Sequence, residues 1–566
     1  MSTKPRPSGS AQHRRPSEDR ARRTAPAASD RAAAASVAPR ILDAVHDQHG
    51  GRWIRYGTPR QAIWFGVADL ISEGAEVFRR LATVGKTCLT TASQSALKRE
   101  IEARADYRAA LVAKHPGWLE GFYVFGDGTL ATPQFDEREV IVTFEPNPKF
   151  TPRGPLVDWQ RAIAPFVADQ PLSYFVIALA LSGPLQRFAP SGYLSPQAEL
   201  VGQPESGKSS IATVAASVWA GNPGSDCGGG ELWDMTLNAL DPLKLAHRDN
   251  FLFLDESNLV GGNPRERRDF AAQAVFKFAA TGGKRRMGDP VQGEHARLAM
   301  LSTTNKALAD LVEDTADVRD AARSRMITIR IAADAPHGIF AMLPPGYATA
   351  RAASEAMRNA ADQLWGEAGR GFVAHLVGVV ERDEARLRRD ITRGLANYMR
   401  RDRVALASAR AQKTFALVAV TAALAQRAGI LPKAWGSPFD MIQAVARASS
   451  GEPADAVDPL AAVRTYVEGH RVSLTEVATL AGPVSRAEFD AAPGFLRWTH
   501  GHPELLIPAA RFQVTFPEHE AMMRALRDAG LAQTEGGLKP KLTIKTPRSV
   551  CGDGRVYCIR LEGITV

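Results

Sequence analysis

The sequence predicts an α/β fold built on a buried parallel sheet, and three stretches carry that expectation. The first is Gly202-Gln203-Pro204-Glu205-Ser206-Gly207-Lys208-Ser209, set between an apolar run ending at Leu200-Val201 and a helical run from Ser210 to Trp219. The second, Asn250 to Leu254, is almost continuously apolar, the pattern of a strand covered on both faces, and it ends in Asp255-Glu256. The third, Leu298 to Asn305, is apolar and then terminates in polar residues, the last of them Asn305. A further strand-like run, Met326 to Ile331, follows Arg319, Arg323 and Arg325.

Each stretch has a chemical reading. The first has the form G-x-x-x-x-G-K-S between strand and helix. Glycines let such a loop curl so that its N–H groups point inward, and the helix N-terminus adds partial positive charge for phosphate. The loop from Gly202 through Ser210 would then bind a nucleotide such as ATP, with Lys208 reaching the β- and γ-phosphates and the Ser209 hydroxyl on Mg²⁺. The bland alternative is a glycine-rich turn that happens to contain Lys-Ser. Two carboxylates closing a buried strand are costly unless used or paired, so Asp255 is expected on Mg²⁺ and Glu256 on the attacking water. Asn305 would meet the γ-phosphate or that water. One of Arg319, Arg323 and Arg325 would serve a neighbouring subunit's site as an arginine finger.

Bulk properties narrow the class. A chain of 566 residues with 45% hydrophobic and 23% charged side chains is an ordinary globular composition, long enough for several domains. Cys88, Cys227, Cys551 and Cys558 form no C-x-x-C pair, which argues against zinc and a disulfide framework and fits a reducing cytoplasm. The longest apolar run, Tyr174 to Leu185, is interrupted by Ser182-Gly183-Pro184 and is too short to span a bilayer. No apolar signal core is expected at the N-terminus. Of the net charge of +9, residues 1–40 supply +6, so the remainder of the chain is nearly neutral and any nucleic-acid contact must come from local patches.

Along the chain, residues 1–40 read as a disordered basic tail. Residues 41–150 read as an α+β domain, with helices over Ala68–Ala82 and Ser93–Ala113 and a hairpin from Gly121 to Leu130 turning at Asp127-Gly128. Residues 151–345 read as the nucleotide-binding core, opened by helices over 151–189. Within it, Trp233 to Leu245 is expected as a helix, and Arg265, Arg267 and Arg268 open another running to Ala280. The stretch Thr281 to Pro290 reads as a protruding loop with Lys284, Arg285 and Arg286 at its tip, placed to grip the phosphates of a single strand; an exposed basic turn is the alternative. Residues 346–478 read as a helical bundle, including Ala350–Trp365 and Thr414–Arg427. Residues 479–566 read as winged-helix-like: a helix opening at Pro517, then strands Leu538–Lys545 and Arg555–Leu561 with Lys539, Lys541, Lys545 and Arg548 on the wing.

Several words of the sequence resemble the prokaryotic mobile-element family called domain of unknown function 927. They are Pro116-Gly117-Trp118 with Gly126-Asp127-Gly128-Thr129, Trp159-Gln160-Arg161-Ala162, the loop followed by Ala215 to Trp219, and Leu252 to Glu256. Leu301-Ser302-Thr303, Phe415 to Ala419 and Arg555 to Leu561 complete the set. Members look like AAA+-type ATPases, and relatives on cassette-type genomic islands look like self-loading replicative helicases similar to the MCM ring helicases. The resemblance implies an ATP-driven hexameric motor on single-stranded or forked DNA, without a membrane. It maps the ATPase roles onto Lys208, Ser209, Asp255, Glu256 and Asn305, and the finger best onto Arg325. Two other classes stay open at this point: an ATP-gated initiator or scaffold on DNA, and a protein-remodelling ATPase in phage defence. The cationic tip argues against the last, since polypeptide-threading rings favour an aromatic there.

Overall fold

The computed structural model describes residues 38–561 except 194, 256–263, 283–294, 312–315, 402–407, 451–458, 517–518 and 536–540. The chain divides into two compact units. The first holds the described residues up to Lys114 together with Phe135–Glu145; the second holds His115–Gln134 and everything from Pro146 onward. The hairpin expected inside an N-terminal domain of 41–150 therefore belongs to the second unit, and most of the basic tail, residues 1–37, lies outside the described residues.

In the first unit, β1 (Arg40–His46), β2 (Arg52–Thr58) and β3 (Gln61–Gly66) form an antiparallel meander. Helices α1 (Gly74–Thr83) and α2 (Thr91–Glu102) pack Val77, Leu81, Leu97 and Ile101 against Ile54, Tyr56 and Phe65 of that sheet. The expected helix over Ala68–Ala82 is broken at Glu73, and the one over Ser93–Ala113 ends at Glu102. Beyond it, β4 (Arg108–Ala109) adds to β1 in parallel, and Leu111–Ala113 pairs in parallel with Val140–Val142. Pairing with strands distant in sequence overrides local helical spacing here.

The second unit opens with the strands Gly117–Leu119, Phe122–Val124 and Leu130–Ala131, which turn at Gly128 in the left-handed region. They are anchored by Trp118 Nε1, which donates to the Pro184 carbonyl (2.8 Å), and by the Tyr123 hydroxyl, which donates to the Asp249 carbonyl (2.8 Å). Helices α3 (Leu156–Val167) and α4 (Pro171–Leu185) follow. Helix α4 starts on a proline, which suits a first turn, and is apolar all round because it is enclosed on every side.

The central sheet is wholly parallel. Its strands are β5 (Gln197–Val201), β6 (Glu231–Leu232), β7 (Asn250–Asp255), β8 (Leu298–Thr304) and β9 (Ile327–Arg330), in the order β6-β7-β8-β5-β9. The crossovers are α5 (Lys208–Ser217), α6 (Leu240–Ala246), α7 (Pro264–Ala279) and α8 (Ala316–Arg323). The expected helix at Trp233–Leu245 starts later than its spacing suggested, because Trp233 is spent filling the core beside β7. One sheet face buries Ala198, Leu200, Phe251, Phe253 and Leu301 under α4 and α5; the other buries Leu252, Leu254 and Met300 under Phe270, Val275 and Phe278 of α7.

The bundle consists of α9 (Ala350–Gln363), α10 (Glu367–Arg401), α11 (Ala409–Arg427), α12 (Pro438–Ser450) and α13 (Pro459–His470). Thr349 and Ser408 cap α9 and α11 by accepting the N–H of Ala352 and Ala411. Helix α10 is kinked at Asp383, whose carboxylate accepts the Arg386 N–H and so restarts the helix.

The C-terminal part differs from the expected helix and two-stranded wing. Strands β10 (Phe495–Thr499) and β11 (His502–Pro508) form an antiparallel hairpin, and β11 pairs with β12 (Arg555–Arg560). Thr475–Glu476, Ala532–Gln533 and Ile544–Lys545 complete a six-stranded sheet packed against α13 and α14 (His519–Asp528). The expected helix start at Pro517 and Lys539 of the wing lie outside the described residues. Among the described residues no helix is long and apolar enough to cross a membrane.

Candidate active site

The loop sits at the carboxyl end of β5, between β8 and β9, where crossovers leave the sheet in both directions. Open parallel sheets place ligands at such a point. Strand β5 is buried throughout, so its end is fixed in space. The Gly202 N–H donates to the Thr304 carbonyl (3.3 Å), tying the start of the loop to the end of β8. Glu205 (φ 62°) and Gly207 (φ 91°) both lie in the left-handed region, which curls the chain into the first turn of α5. A side chain at Gly207 would also collide with Ser354 Oγ, 2.9 Å from the position of a Cβ.

Lys208 opens α5 and is buried. Its Nζ donates to the carbonyls of Gly202 (2.9 Å) and Gln203 (2.5 Å) and to Ser206 Oγ (3.3 Å), so the ammonium lies inside the curl. Burial lowers its pKa, while the charge of Asp255 pushes it back up. Gln203, Pro204, Glu205 and Ser206 line a cavity of about 250 Å³, closed on the far side by small residues of the 332–338 segment and by Arg351 and Ser354 of α9. Ser210 follows in the first turn of α5, half-buried.

Asp255, the last residue of β7, faces this helix. Ser209 Oγ donates to Asp255 Oδ1 (2.9 Å), and the Thr303 hydroxyl donates to the same oxygen. A hydroxyl and a carboxylate thus converge beside the curl. That donor set fits Mg²⁺, which takes one or two protein oxygens and completes its shell with water and phosphate. Glu256 lies outside the described residues. Asn305 is exposed and directly follows Thr304, whose carbonyl holds Gly202, so it sits at the rim of the loop.

The three candidate arginines have different surroundings. Arg325 is folded inward: Nη1 donates to the Ala321 carbonyl (2.7 Å) and the guanidinium stacks over Phe276, 4.6 Å from its centroid. Burial, and then Arg410, lower its pKa. Arg323 is exposed and pairs with Asp310 (3.0 Å), whereas Arg319 is half-buried. Lys284, Arg285 and Arg286 lie outside the described residues. The chain on either side of them is joined, with Gly282 bridged antiparallel to His295 and the Ala296 N–H donating to the Thr281 carbonyl (2.7 Å).

Residues that sequence reasoning missed complete the neighbourhood. Thr303 was visible only as part of a polar strand end. Arg351, on the rim of the cavity 3.6 Å from the Glu205 carboxylate, lies far downstream on α9, and no spacing rule links it to the loop. Glu199, fully buried on β5, accepts from the Leu308 N–H (2.9 Å) and the Thr328 hydroxyl (2.6 Å), holding the turn after Asn305 against β5 and β9.

Residues 36–290 match the family model described as Domain of unknown function (DUF927). A solved structure described as "SCCmec type IV Cch - active helicase" is 14% identical, with 92% of this chain and 93% of that one covered and a TM-score of 0.50. "The A form apo structure of NrS-1 C terminal region-CTR" is 10% identical over 91% and 95% of the two chains, at a TM-score of 0.27, too low to relate the folds. No curated protein matches the chain.

Proposed function

We propose that this chain, whose residues 36–290 match the DUF927 family model, couples ATP hydrolysis to movement along single-stranded or forked DNA. The observation that carries the reading is the 2.9 Å hydrogen bond from Ser209 to Asp255, which sets the loop helix and the acidic strand end face to face at the carboxyl edge of a parallel sheet. An AAA+-type core is the reading this topology supports. The loop amides from Gly202 to Ser210 and the ammonium of Lys208 would hold the triphosphate. Ser209 and Asp255 would hold Mg²⁺, whose charge offsets that of the phosphates. Glu256 would orient and deprotonate the attacking water, and Asn305 would report the γ-phosphate from the loop rim. Arg351 is placed to approach phosphate from the cavity side.

Two further parts of the proposal rest on position. Arg325 would complete a neighbour's site in a hexameric ring, which requires it to leave its stack on Phe276. Lys284, Arg285 and Arg286 would grip DNA phosphates, and the bridge between Gly282 and His295 roots their segment at one point beside β8. The likeness in fold to a structure described as an active helicase supports a motor role for this architecture. The C-terminal sheet, with Lys541, Lys545 and Arg548, would add a duplex or strand contact.

The test is ATPase turnover with and without single-stranded DNA at low salt, in the wild type and in Lys284→Ala/Arg285→Ala/Arg286→Ala. DNA should stimulate the wild type, and the triple variant should lose that stimulation. Turnover that ignores DNA in the wild type would overturn the motor reading.

A further inference from the structure

Glu199 is a buried carboxyl to which the nucleotide site gives no chemistry, yet it joins three parts of that site. It lies on β5, two residues before the strand runs into the loop, and has no exposed surface. Among the described residues it makes no ion pair: Arg330, whose charge acts on it, pairs with Asp310 instead (3.2 Å). Its two oxygens divide between the neighbouring strands. Oε2 accepts the Leu308 N–H (2.9 Å), beyond the end of β8, and Oε1 accepts the Thr328 hydroxyl (2.6 Å) on β9. A buried carboxyl held by two neutral donors often stabilises a fold no more than a packed apolar side chain does. What it adds is registration, because two acceptors on one rigid group fix two elements against the strand that carries it.

Both elements border the site. Leu308 opens the short 3₁₀ turn Leu308–Leu311 that follows Asn305. On the near side of Asn305, the Thr304 hydroxyl accepts the Lys306 N–H (3.1 Å) and the Thr304 carbonyl accepts the Gly202 N–H (3.3 Å). On the far side Ala307, Leu308 and Ala309 are buried, and Glu199 holds Leu308. Asn305, itself exposed, thus stands on a short arch of backbone pinned at both ends. Thr328 lies on the strand that continues through Ile331, whose N–H donates to the Val201 carbonyl (2.8 Å), into Ala332, Ala333 and Ala335 of the cavity wall.

We propose that Glu199 is a positioning residue for hydrolysis: it sets Asn305 relative to the loop, and so relative to the γ-phosphate. The inference rests on the ATPase reading and on the role given there to Asn305, and it adds a residue that touches neither nucleotide nor water. A carboxyl that only stabilised the fold would affect binding and turnover alike. A positioning residue acts on turnover, because a misplacement of about 1 Å around a reacting centre costs about 10²-fold in rate.

The experiment pairs the affinity of the full-length chain for a fluorescent ATP analogue with single-turnover hydrolysis of ATP. Glu199→Leu removes both acceptors; it should bind the analogue within about threefold of wild type and hydrolyse ATP about tenfold or more slowly. Glu199→Gln keeps an acceptor for Leu308 and a hydrogen bond to Thr328, and should stay within about threefold of wild type in both measurements. In an Asn305→Ala background, Glu199→Leu should slow hydrolysis no further. Glu199→Asp, which withdraws the carboxyl by one methylene, takes the place of Glu199→Leu should that variant fail to fold. Equal losses of affinity and rate, a Gln variant as slow as the Leu variant, or an additive loss in the Asn305→Ala background would each overturn the inference. If Asn305→Ala slows hydrolysis and Glu199→Leu does not, the role of Glu199 alone is refuted. If the wild type hydrolyses no ATP, the ATPase reading falls and this inference with it.

Discussion

Replacing Glu199 by Gln tests how the strand that presents the loop is held. The carboxyl is fully buried. Burial pushes its pKa up to about 7 from an ordinary 4.5; the Leu308 N–H and the Thr328 hydroxyl oppose the rise, Asp310 adds to it and Arg330 opposes it. Below about pH 4.5, folded and unfolded chains both carry the proton and the stabilisation is fully present. Between about pH 4.5 and about pH 7 the unfolded chain releases a proton that the folded chain keeps, so stability falls as pH rises, and above about pH 7 the loss is complete. The difference in pKa is worth about 3 kcal/mol. Gln keeps the shape, accepts from Leu308 and donates to the Thr328 hydroxyl, but cannot ionise. The stability of Glu199→Gln relative to wild type should therefore rise by about 3 kcal/mol between about pH 5 and about pH 8. Hydrogen exchange of the β5 and β9 amides at the two pH values measures this locally, which suits a chain with more than one compact unit. Parallel pH dependence in the two proteins would show that Glu199 does not titrate in this window.

Three other outcomes follow from the site. Glu256→Gln should bind ATP yet turn it over about 10²-fold more slowly in single-turnover assays; unchanged turnover would remove its role toward water. Gly207→Ala places a Cβ 2.9 Å from Ser354 Oγ on a left-handed backbone, a strain of about 1–3 kcal/mol, and should weaken binding of a labelled nucleotide by at least about tenfold. Wild-type affinity there would mean that the curl is dispensable. Arg325→Ala removes a stack and a hydrogen bond and should lower the thermal midpoint further than Arg323→Ala, whose exposed pair contributes at most about 1 kcal/mol; the reverse order would place Arg325 outside its pocket.

The buried strands were legible because a strand covered on both faces is apolar without alternation. The run ending at Leu200-Val201 and the runs at 250–254 and 298–305 each end within a residue or so of the end of an observed strand. Arg108–Ala113 was read as helix because its partners, β1 and Val140–Val142, are not neighbours in sequence. The β10–β11 hairpin escaped because it turns through His500 and Gly501, both at positive φ, without the Asn-Gly or Asp-Gly pair that usually announces such a turn. At the site, the glycine spacing and the carboxylate ending β7 set Ser209 and Asp255 as candidates for one centre, and these two share a hydrogen bond. Thr303 and Arg351 carry no such pattern: a threonine ending a strand and an arginine opening a helix are common, and only the fold brings them to the loop.

Helix α4 limits how this protein can be taken apart. It lies against β7, β8, α5, α11 and α12 at once, and Gly183 lets its backbone touch Asn250 so closely that any side chain there would strike the strand. The sheet and the helices after residue 345 consequently share a single interior. A gene fragment ending near that position would expose one flank of α4 and yield insoluble material. An exchange of the helical portion between relatives would succeed only if α4 travelled with it.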